Sequence, residues 1–177
     1  MSTKSKPSIL ELVSVIKVPT TDVEFVAKDR FVVNTKCNAL VKISVVSDVF
    51  TSWFLLDGGK TEDPINKQIL RYCKLRKSSL DGPIFTELGG EEKSETTLAE
   101  MFFLMEGQKN GEDGVLLNNG RVNIFYIRDQ NGVLRAVVVC WRFDGWLVRA
   151  YSVKDPFRWD NGCQVFSRNS VLESSEL

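Results

Sequence analysis

The chain has 177 residues, 43% of them hydrophobic, which is enough for one sizeable core and short for two. Twenty-three Lys plus Arg balance twenty-three Asp plus Glu, so no global field recruits nucleic acid or an anionic membrane, and a nucleic-acid role needs a local patch. Histidine is absent, which excludes Ser-His-Asp and Cys-His nucleophile systems, His-ligated metals and histidine pH switches.

Residues 1 to 7 are polar and read as a flexible N-terminus, 8 to 170 as a single α+β domain, and 171 to 177 as a flexible C-terminal tail. Two lysines precede an apolar run near the start, as in a signal peptide. Glu11 and Lys17 interrupt that run and no small-residue cleavage site precedes Pro19, so a cytoplasmic location is expected. ILELVSVIKV reads as a strand from its Val and Ile content. VEFVAKDRFVV reads as a hairpin turning at Lys28-Asp29, although Thr21 and Glu24 have capping-box spacing. Ala39, Val41, Ile43 and Val45 alternate with polar residues, and VFTSWFLL reads as a continuation of the sheet, making the N-terminal segment mostly β.

Two helices are expected next. Asp63 and Pro64 carry start signals for PINKQILRYCKLRK, and Thr97 with Glu100 forms a capping box ahead of Leu98, Met101, Phe102 and Met105, closed by Gly107 in a left-handed turn. Charge is segregated here: residues 60 to 77 hold six basic side chains against two acidic, and residues 79 to 113 hold nine acidic against two basic. Neutralisation of the segments by each other or on solvated faces is favoured over a docking surface. In the last third, Asn119-Gly120, Asn131-Gly132, Asp144-Gly145 and Asn161-Gly162 suit two-residue type I′ turns between runs rich in Val, Ile, Phe, Tyr and Trp. The expected fold is therefore α+β, an antiparallel β-meander in the C-terminal half packed against one or two helices.

No motif specifies catalysis. Gly59-Lys60-Thr61 copies the end of a phosphate-binding loop, but Phe54 stands where that loop needs its first glycine. Asp144 and Asp160 could pair as acid and base, yet both sit beside turn residues. The four tryptophans read as packing, and Cys37, Cys73, Cys140 and Cys163 lack metal or redox spacing and read as buried free thiols. Neither a metal nor another cofactor is expected.

The stretch from 121 to 151 places arginine at every seventh position. With two-residue turns at 131-132 and 144-145, Arg121 faces Arg142 and Arg149 lies one pair away, on a face shared with Asn123. Guanidiniums so placed repel, and either acids of the Glu-rich segment or a bound anion must compensate. Arg121, Asn123, Arg142 and Arg149 are thus the candidate anion-binding residues. The expected function is a non-catalytic binding or protein-interaction module, with a protein or a small anionic ligand as partner and no membrane. A phosphate or nucleic-acid-binding protein, with Arg158 and Trp159 near the cluster, is the alternative, and a carboxylate-dependent hydrolase trails.

Overall fold

A computed structural model describes residues 6–155 and 157–168, so the tail expected at 171 to 177 lies outside the described residues, as does most of the N-terminal arm. Its centre is a seven-stranded mixed sheet in the order β1-β5-β9-β6-β7-β8-β3, formed by β1 (Leu10–Val18), β3 (Ile43–Val46), β5 (Gln68–Leu75), β6 (Asn123–Arg128), β7 (Leu134–Arg142), β8 (Gly145–Ser152) and β9 (Gln164–Arg168). A two-stranded ladder pairs β2 (Phe25–Val26) with β4 (Thr61–Glu62). Most pairs are antiparallel, but β3 runs parallel to β8 and β9 parallel to β6. The class is α+β, and the C-terminal half is more than a simple meander.

Both faces of the sheet are covered. On one, Phe125, Ile127, Val137, Val139, Val148 and Phe166 pack against Met101, Phe102 and Met105 of α5 (Leu98–Glu106) and against Phe50 and Phe54. On the other, Ile124, Tyr126, Val138, Cys73, Leu75 and Val165 meet Ile84, Phe85 and Leu88 of α3 (Asp81–Leu88). The capping box of α5 forms as its sequence predicts, with Thr97 accepting from the Glu100 amide and Glu100 from the Thr97 amide. A third group completes that helix start: the buried Glu62 carboxylate accepts from the amides of Leu98 at 2.9 Å and Ala99 at 2.8 Å. An anion on the positive end of a helix is stabilising, and here it ties α5 to β4. Gly107 ends the helix in a right-handed conformation, φ −65°, rather than the left-handed turn expected.

Three expected elements differ. Lys28 and Asp29 lie in a helical turn, α1 (Ala27–Arg30), because burying Phe25, Ala27 and Phe31 together requires the chain to coil there. VFTSWFLL is also helical. Ser47 caps α2 (Asp48–Phe50) by accepting from the Phe50 amide, and a wider π-helical turn over Thr51–Leu55 follows. Four-residue spacing places Phe50 and Phe54 on the same side, stacked at 4.8 Å. The expected helix at 64–77 is instead β5. Leu70 and Tyr72 point to one core and Cys73 and Leu75 to the other, so a strand buried on both faces hides its two-residue period. A short helix, α4 (Glu91–Ser94), bridges α3 to α5.

The β6–β7 connection decides the rest. Arg128 pairs with Leu134, and the loop is Gln130-Asn131-Gly132 between Asp129 and Val133, not the two-residue turn expected. The Asp129 carboxylate explains the difference, since it accepts from the amides of Asn131 and Val133 and binds Arg135 at 2.8 Å. Gly132 supplies the left-handed residue, φ 77°, of a three-residue hairpin. Arg135 in turn lies over the Trp53 ring, 3.6 Å from its centroid. Burial raises the Asp129 pKa, but hydrogen bonds from Arg135, Val133 and Asn131 outweigh it and leave the group below its ordinary value. Between β7 and β8 the two turn residues are Phe143 and Asp144, at φ 58° and 60°, one position before the expected pair. Gly145 instead pairs with Arg142 at the start of β8, where a Cβ would come within 2.6 Å of the Ser44 backbone nitrogen, so the close approach of that chain requires glycine.

Two stability measurements check these turns. Asp129→Ala removes the acceptor of two backbone amides and leaves Arg135 without its ion pair, so chemical denaturation should show a loss of about 2 kcal/mol or more. Phe143 is 75% exposed and left-handed, so Phe143→Gly should stabilise by about 1 kcal/mol, and a loss of stability would show that the ring makes a contact that matters.

Candidate functional site

The turn at Asn119 to Val122, Arg142 and Tyr151 of the β7–β8 hairpin, and the stretch from Phe157 to Cys163 border a groove of about 470 Å³. Arg121, Arg142 and Arg158 line it together with Tyr151, Phe157, Trp159 and Asp160. A smaller hollow of about 100 Å³ adjoins it, sharing Gly120, Val122, Arg142 and Tyr151 and reaching Arg149.

The position of each arginine follows from local structure. Arg142 and Arg149 keep the same face because the β7–β8 register differs from the expected one by two residues, an even number. Arg149 consequently faces Val138 rather than Cys140, which puts it about 13 Å along the strand from Arg142. Arg121 lies just ahead of β6, in the turn that Gly120 allows at φ 87°. Its guanidinium donates to the Asn161 carbonyl at 2.6 Å and lies where a Cβ on Gly162 would be 3.0 Å away. That leaves most of its donors facing the groove. Asn123 does not join them. The one-residue change of register in β6 turns it to the opposite face, fully buried, where it accepts from Leu117 N–H and Gln164 and donates to the carbonyls of Leu117 and Val139.

The aromatic wall is pinned from beneath. Trp159 is buried, exchanges two backbone hydrogen bonds with Ser79, and donates its indole N–H to Asp81 Oδ1 at 2.8 Å. Tyr126 donates its hydroxyl to the same oxygen at 2.7 Å. Trp159 meets Tyr151 edge-on at 5.3 Å and Phe157 at 4.6 Å, and Phe157 lies 4.7 Å from Tyr151. Phe157 remains 40% exposed, so its ring is held by two neighbours and still open to the groove. Burial pushes the Asp81 carboxyl above its ordinary pKa, only partly offset by the two donors, and its second oxygen has no partner among the described residues.

Ion pairing separates this groove from the rest of the molecule. Among the described residues the salt bridges are Lys60–Glu62, Glu95–Arg128, Asp129–Arg135 and Glu100–Arg168, and none involves Arg121, Arg142, Arg149 or Arg158. Among the described residues the two charge-segregated segments form no ion pair with each other. Asp160 shares the groove, whereas Asp144 lies in the hairpin turn and does not line it, so the two acids make no facing pair there. Cys140 and Cys163 are buried and their thiol pKa values are raised by desolvation, against the pull of neighbouring arginines. Cys37 is exposed, unlike the buried thiol expected. No group of three or more His, Cys, Asp or Glu that could hold a metal occurs among the described residues, and no described helix is long and apolar enough to cross a membrane.

Comparison with family models, with curated proteins and with solved structures finds no match, so the functional reading rests on this geometry.

Asp81 carries a pH prediction. A carboxyl whose folded pKa is raised contributes stability below the unfolded value that is lost as pH rises through the folded one. The stability of the parent relative to Asp81→Asn should therefore fall as pH rises above the ordinary carboxylate range of about 4, as measured by urea denaturation at several pH values. A difference that grows with pH would mean that Asp81 is stabilised as the anion.

Proposed function

We propose that the protein is a non-catalytic binding module that holds a phosphate-bearing anion in the groove of Arg121, Arg142 and Arg158. The observation that carries this reading is that three arginines line one concave site while no described acid pairs with any of them. Guanidinium forks match phosphate oxygens bidentately, and gathering three of them beside the single carboxylate of Asp160, with none in an ion pair among the described residues, costs stability that a bound anion would recover. A protein partner is the second reading. It is favoured by Leu12, Val13 and Val15, which are exposed on β1 at the edge of the sheet.

Arg142→Leu separates ligand binding from internal pairing. Titration of pyrophosphate at low salt should show binding that weakens about 10-fold or more in the variant and weakens with added salt in the parent. Thermal unfolding should show the variant as stable as the parent or more so. No pyrophosphate binding together with a less stable Arg142→Leu would overturn the proposal and favour the protein partner.

A further inference from the structure

Resting on the phosphate reading, we infer that the ligand of this groove is a nucleotide, with its phosphate on Arg121 and Arg142 and its base against Phe157. Three observations converge on this class.

The first is the ring itself. Phe157 is 40% exposed within a groove wall, yet its position is fixed by contacts with Tyr151 and the pinned Trp159. A partly exposed, preorganised aromatic ring in the same groove as guanidiniums is the pairing that single nucleotides and single strands exploit, because every base has a π-face and every nucleotide a phosphate. The second is Asp160. A carboxylate in the same groove repels a ligand that is anionic throughout, such as a polyphosphate, but accepts from ribose hydroxyls or base N–H groups. The ligand it suits is mixed, with an anionic end and a neutral, donor-bearing end. The third is size and continuity. A volume of about 470 Å³ lies in the range of small-molecule sites. The adjoining hollow leads past Arg142 towards Arg149, where a further phosphate of a strand would find a cation.

The nucleotide can come free or as part of a single strand, and the test distinguishes them. Pyrophosphate, ribose phosphate, AMP and a short oligothymidylate are titrated into the full chain by calorimetry. AMP should bind about 10-fold or more tightly than ribose phosphate, since one stacked base is worth that much. Phe157→Ala should erase this preference, and Phe157→Trp, which keeps a stacking face, should retain it. Retention by Phe157→Trp also answers the objection that the alanine variant is merely misfolded. A strand as the source shows as tighter binding of oligothymidylate with steeper salt dependence, reduced by Arg149→Leu. A free nucleotide shows as AMP binding at least as tightly as the oligomer. If pyrophosphate and ribose phosphate bind as well as AMP, and Phe157→Ala changes nothing, the nucleotide inference falls while the phosphate reading stands. If none of the four binds, both fall.

Discussion

The turn built on Asp129 is the constraint from which the functional face follows. One carboxylate accepts two amides of the loop and an arginine of the next strand, and so fixes β6 against β7 with Arg128 opposite Leu134. Because side chains alternate along a strand, a one-residue change of register exchanges the two faces of β6 completely. With this register Phe125 and Ile127 enter the core under α5, Ile124 and Tyr126 enter the core under α3, and Asn123 becomes a buried clamp for the loop at Leu117. Tyr126 can then reach Asp81, and Asp81 can hold Trp159 in the groove wall. The other register would turn Tyr126 away from α3 and remove one of the two donors that Asp81 receives.

How far this could be read from the sequence depended on whether the determinants were local. The capping box at Thr97 and Glu100 is a contact between neighbours in sequence, and α5 begins where it predicts. The shared face of Arg142 and Arg149 survived a one-residue difference in turn position because that difference shifts the pairing register by two, an even number. The strand at 68–75 was hidden because Leu70 and Tyr72 enter one core and Cys73 and Leu75 the other, while Asp63-Pro64 offered a helix start with no helix behind it. The signal for α2 was present in Ser47-Asp48, but the β-branched and aromatic run beyond it dominated. Asn131-Gly132 is the strongest short hairpin signal in the chain, and it misled because Asp129, two residues earlier, recruits the loop amides.

The candidate site shows the same division. Arg121, Arg142, Arg158 and Trp159 could be named from periodicity and proximity along the chain, whereas Phe157 could not, because its role depends on where Tyr151 and Trp159 meet it in space. The alternation of arginine and aromatic residues at 157–159 was the local trace of that arrangement. Asp160 was weighed as a catalytic partner for Asp144, and the fold instead gives it arginines for company.

The fate of the acidic segment explains why those arginines remain unneutralised. Several of its carboxylates are bound elsewhere: Glu87 accepts from the amides of Ile9 and Leu10, Glu95 pairs with Arg128, Glu100 serves Thr97 and Arg168, and Asp81 receives Tyr126 and Trp159. The fold uses these acids to satisfy backbone amides, to cap α5 and to anchor the groove wall from below. Near-zero net charge therefore conceals an uneven distribution, with several acids of residues 79–113 engaged in internal bonds and four arginines along one open trough. A balanced composition carries no long-range field, so recognition in this trough depends on the short-range fit of guanidinium forks and an exposed ring rather than on electrostatic steering.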